Sequence, residues 1–91
     1  MISLAAHASN MFEYCIGDVE NLTDAILIDA IDYTTMAIGR HAYRLEMTRS
    51  QITAWVKTHY NSVFYVAGKK LPLAMPEVLW RVLHAWMAQK D

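Results

Sequence analysis

Residues 38–57 read IGRHAYRLEMTRSQITAWVK, and the interpretation of this run decides the architecture of the chain. Thr48-Arg49-Ser50-Gln51 has the form of a capping box, in which the Thr48 hydroxyl accepts the backbone N–H of Gln51 while the Gln51 side chain reaches back to Thr48. Met47 and Ile52 suit the hydrophobic staple that accompanies such a cap. The pattern predicts a helix that begins here and turns Ile52, Trp55 and Val56 inward. Arg49, Ser50, Gln51, Thr53, Ala54 and Lys57 are then left on or near its outer face, which is polar and mildly basic. Upstream, Arg40 and Arg44 close a segment whose acids gather towards its start, the polarity that the helix macrodipole favours. Gly39 is a weak residue inside a helix and marks an end or a bend.

Working outward, the flanking segments are also helical. Leu4, Ala8, Met11, Phe12 and Cys15 recur at helical spacing over about residues 2–16, and Gly17-Asp18 stops the run. A second helix from Asn21 carries Leu22, Ala25, Ile26, Tyr33, Met36 and Ala37 on one face and Leu27, Ile31 and Ile38 on the other, which predicts a central position. Beyond Asn61, the run Val63-Phe64-Tyr65-Val66 is followed by Gly68-Lys69-Lys70-Leu71-Pro72. It reads either as a small β-hairpin near 62–73 or as a continuation of the preceding helix to a Gly68 cap. Pro76 suits the first turn of a last helix with an apolar stripe of Val78, Leu79, Val82, Leu83, Trp86 and Met87. The expected fold is mainly α: four to five short helices in one domain over residues 1–91.

Composition agrees with one small domain. The chain has 91 residues, of which 55% are apolar and only 19% charged, so apolar side chains are left for its surface and are commonly covered by a partner or a second copy. A homodimer or larger assembly is expected. Ten aromatic side chains exclude disorder, and three Gly and one Cys exclude collagen-like and disulfide-stapled classes. Cys15 reads as a small buried hydrophobe. The start lacks a basic leader segment, and no long uncharged apolar stretch appears, so a soluble, cytoplasmic protein with no membrane partner is expected.

The net charge of −1 conceals a division: residues 1–39 carry −6 and residues 40–91 carry +5. Either the two halves neutralise each other in the fold or across a dimer, or the C-terminal half presents a basic face to a polyanion.

Residues 38–57 resemble the helix-turn-helix of Cro and CII-type phage regulators. Ala42 fits the small position of the first helix, Leu45 and Met47 flank the turn, Ile52 and Trp55 fit the buried pair, and Arg49 to Trp55 looks like the recognition-helix run. Glu46 stands where the family usually has Gly, at a turn position that favours positive φ. Gly68-Lys69-Lys70-Leu71-Pro72 and the stripe from Leu79 to Trp86 are similar to the basic loop and packing helix that often follow. The resemblance implies a small transcriptional regulator, encoded by a phage, plasmid or bacterial genome, that binds double-stranded operator DNA as a dimer. Gln51 would pair with adenine, Arg49 with guanine or phosphate, and Ser50 and Thr53 with either, with Ala54 on the same face. Lys57, Lys69 and Lys70 would hold the backbone.

Other chemistry has little footing. His7, His41, His59 and His84 have no ligand spacing to each other and no completing Cys or carboxylate cluster, so neither metal nor cofactor is expected. No Gly-rich phosphate loop or nucleophile elbow is present, so the chain does not read as an enzyme. Asp29 and Asp32, three apart, read as residues that cap, solvate or pair with arginines of the other half. The competing reading is a protein-interaction module, such as a small phage- or plasmid-type inhibitor or chaperone, that binds a partner through an apolar, Met-rich helical surface.

Overall fold

Hydroxyl side chains set three helix starts. Ser3 Oγ accepts the N–H of Ala6 at 3.1 Å, Thr23 Oγ1 that of Ile26 at 3.2 Å, and Thr48 Oγ1 that of Gln51 at 3.2 Å. Each satisfies a backbone donor that the first turn of a helix leaves unpaired. The computed structural model describes residues 3–17 and 19–90, and in it these caps open α1 (Leu4–Ile16), α2 (Asp24–Arg44) and α3 (Arg49–Val63). The last helix, α4 (Met75–Ala88), has no side-chain cap and begins instead with Pro76 in its first turn, where a missing N–H costs nothing. One 3₁₀ turn, Val19–Asn21, joins α1 to α2. The second helix thus begins at Asp24 and not at Asn21, because Thr23 supplies the cap.

The architecture is all-helical, as the spacing predicts, with no strand among the described residues. The hairpin alternative over 62–73 is therefore set aside, and α3 also stops short of Gly68. Val63, Phe64 and Val66 are all buried, so the run does not alternate as a strand with one solvent face must. Phe64 leaves the helix and meets Phe12 edge to face, with ring centroids 5.4 Å apart. Lys69 N–H then closes a turn on Val66 C=O at 3.1 Å, with Gly68 at φ +75°.

α2 lies between α1 and α4, and α3 packs against both of those neighbours. One face of α2, from Leu27 through Ala30, Ile31, Thr34, Thr35 and Ile38 to Ala42, is buried. It shares one core with Phe12 of α1, Ile52 and Val56 of α3, and Val78, Val82 and Trp86 of α4. Burying each larger aliphatic side chain stabilises the fold by roughly 1.5–3 kcal/mol. The buried threonines bond within their own helix, Thr34 Oγ1 to Ala30 C=O and Thr35 Oγ1 to Asp32 C=O, both at 2.7 Å. The other face predicted to be apolar, with Ile26, Tyr33 and Met36, is exposed. Met87 at the edge of the α4 stripe is exposed as well.

Gly39 neither ends nor bends α2. It is buried where α4 crosses, and a Cβ there would lie 2.7 Å from Ala85 Cβ and 2.8 Å from both Trp86 N and Val82 O. The absence of a side chain sets how closely the two helices approach. On the same seam Arg81 of α4 pairs with Asp32 of α2 at 2.9 Å and with Glu77 at 3.2 Å. The acidic and basic halves meet here.

Candidate nucleic-acid interface

The turn between α2 and α3 aims the second helix. Leu45 ends α2, Glu46 N–H bonds Tyr43 C=O and Met47 N–H bonds Ala42 C=O, each at 3.0 Å. This pair of bonds is a Schellman motif, which requires a left-handed residue just past the helix. Glu46 occupies that place with φ 57°, the only non-glycine at positive φ among the described residues. Met47 then tucks against the core, and Thr48 and Gln51 complete the capping box through Thr48 N–H to Gln51 Oε1 at 2.9 Å. Glu46→Gly is expected to stabilise the fold by about 0.5–1 kcal/mol. It removes a left-handed strain of roughly 1–2 kcal/mol at the cost of a more flexible unfolded chain. A higher urea midpoint with unchanged slope is the expected readout.

Ile52 and Val56, buried four residues apart, anchor α3. Trp55, predicted as half of the buried pair, is only partly covered and tilts against His59 with ring centroids 4.8 Å apart. This rotation brings Arg49, Ser50, Thr53, Ala54 and Lys57 together along one shallow groove of about 380 Å³. All are exposed except Thr53, which is half-buried and donates its hydroxyl to Arg49 C=O at 2.9 Å. Arg49 and Lys57 form no ion pair among the described residues.

Gln51 and the two loop lysines stand apart from that groove. The Gln51 carbonyl oxygen is occupied by the cap, which leaves only its amide N–H groups to offer. Lys69 and Lys70 lie beyond the far end of α3, about 20 Å along the helix from Arg49. Lys69 Nζ donates to Leu22 C=O at 3.0 Å and so ties the loop to the start of α2. Lys70 is exposed beside Tyr65 and Pro72 in a separate groove. The site residues named from sequence therefore divide into a cluster of five on α3, a capping glutamine and a distant pair.

Sequence reasoning missed two cations. Arg44, from the last turn of α2, and Lys90, just past α4, line an open cleft of about 710 Å³ with Arg49. Lys90 Nζ sits 3.8 Å above the Trp86 ring, which holds it beside the start of α3. Arg44 falls inside the quoted stretch, at a helix end where a basic residue also suits the macrodipole. No spacing rule links Lys90 to residues some forty positions earlier. Glu46 lies among these cations, and Thr48 and Arg49 at the start of α3 line the same cleft.

Tyr60, in the last turn of α3, donates its hydroxyl to Leu73 C=O at 3.0 Å, and burial raises its pKa above the ordinary 10.0. It remains a donor across the neutral range and fixes the loop before α4. No group of three or more potential metal-ligating side chains occurs among the described residues. No described helix is long and apolar enough to cross a membrane. No protein-family model, curated protein or solved structure matches the chain.

Proposed function

We propose that the α2–turn–α3 unit works as a helix-turn-helix and that the protein is a small DNA-binding regulator. The observation that carries this reading is the single exposed face of α3. Arg49, Ser50, Thr53, Ala54 and Lys57 line one groove directly after a tight turn, while Ile52 and Val56 hold the opposite side in the core. That face offers hydroxyls and guanidinium or ammonium donors without a competing acid along the helix. Arg44 and Lys90 add phosphate contacts around its start. A handful of cations per copy gives weak binding, so two copies acting together are part of the proposal.

The rival reading, an interaction module for another protein, draws on the exposed apolar residues of α2 and α4. These lie outside the α3 groove, so mutation separates the two. The test is fluorescence anisotropy with a random duplex over a salt series. Binding is expected to weaken by about tenfold or more between 50 and 200 mM salt. Glu46→Gly, which removes the one carboxylate among the described residues lining the cleft with these cations, is expected to tighten it several-fold. An absence of binding at 50 mM salt would overturn the reading.

A further inference from the structure

The outer face of α2 carries an unpartnered stripe. Ile26, Asp29, Tyr33, Met36, Arg40 and Tyr43 recur at alternating steps of three and four, the spacing of a helix–helix seam. All six are exposed, with Tyr33 64% and Tyr43 42% accessible. Read from either end, the stripe runs apolar, charged, apolar, apolar, charged, apolar, and its two charges are opposite. Its midpoint falls between Thr34 and Thr35. Asp29 and Arg40 have no ion pair among the described residues, whereas the adjacent Asp32 is already held by Arg81.

We infer that a second copy of this chain docks along this stripe with its α2 antiparallel, related by a two-fold axis between residues 34 and 35. That register sets Asp29 opposite Arg40 of the second copy, Tyr33 opposite Met36 and Ile26 opposite Tyr43. A parallel pairing would oppose Asp29 to Asp29 and Arg40 to Arg40, so the charges select the antiparallel one. Trp80 of α4 shares a cleft with Met36, is 60% exposed, and extends the patch. The stripe and Trp80 together present on the order of 700 Å² per copy, close to the roughly 800 Å² that a stable pair of subunits needs.

The pairing stands on the surface of α2; its use on DNA rests on the reading above. Ile26 to Tyr43 spans about 26 Å of helix. The two α3 starts, each beside a Tyr43, lie at opposite ends of the pair, a separation on the order of the ~34 Å between successive major grooves.

Sedimentation equilibrium of the full chain without DNA tests the inference. Asp29→Arg and Arg40→Asp are each expected to raise the dimer Kd by about tenfold or more, and the double reversal to restore it to within about threefold. Tyr33→Glu is expected to give a monomer with unchanged helical circular dichroism. A wild-type chain that stays monomeric at ~100 µM, single reversals without effect, or a double reversal no better than the singles would each overturn it. A wild-type chain that dimerises as inferred but does not bind the duplex at about 50 mM salt would count against the regulator alone.

Discussion

Gly39→Ala is expected to destabilise the protein by about 2–3 kcal/mol, although alanine is the stronger helix former. In an exposed helix the same change would gain roughly 1 kcal/mol. Here the new methyl would fall 2.7–2.8 Å from a side-chain carbon and two backbone atoms of α4. Backbone cannot rotate away as the end of a flexible side chain can, so α2 and α4 must separate and loosen the seam that holds Val82, Trp86 and the Asp32–Arg81 pair. Overpacking of this kind costs about 1–3 kcal/mol and occasionally more. Thermal unfolding is expected to drop by roughly 10–20 °C for a domain of this size. A stability equal to or above wild type would show that α4 does not approach α2 at this point.

Arg49→Ala/Lys57→Ala is expected to weaken duplex binding about 100-fold at low salt and to reduce the salt slope by about two per bound copy, near 0.9 for each lost phosphate contact. Each single change is expected to cost about tenfold. Both side chains are exposed and form no ion pair among the described residues, so folding stability is expected to stay within about 0.5 kcal/mol of wild type. Lys69→Ala provides the contrast. Its ammonium is bonded to Leu22 C=O, so its removal is expected to loosen the loop and leave DNA affinity within about twofold. Equal losses from Lys69→Ala and Arg49→Ala would mean that binding follows net charge and not the α3 face.

Local signals in the sequence specified the helices well. The capping box at Thr48 is set by side chains three positions apart, and the stop at Gly17 by a residue without a Cβ at φ 58°, whose N–H bonds Glu13 C=O; both are present in the fold. The left-handed turn residue is Glu46, the position at which the resemblance leads to an expectation of positive φ. What depends on tertiary neighbours was less legible. Gly39 looked like a flaw in α2 because its reason lies on α4, more than forty residues away. α2 carries two apolar faces, and only the arrangement of α1 and α4 determines which one enters the core. Trp55 and Val56 are adjacent, and a small rotation of α3 decided that Val56, not Trp55, joins Ile52 inside. Lys69 and Lys70 read as part of a basic face because sequence gives charge but not position, and α3 carries them to its far end.

The most direct test is backbone amide shift mapping of the protein titrated with a duplex at low salt. The expected perturbations centre on Arg49, Ser50, Thr53, Ala54 and Lys57, extend to Tyr43, Arg44 and Lys90 around the same cleft, and spare Lys69 and the α2 stripe from Ile26 to Arg40. Perturbations confined to that stripe and Trp80, or none at all, would contradict the account.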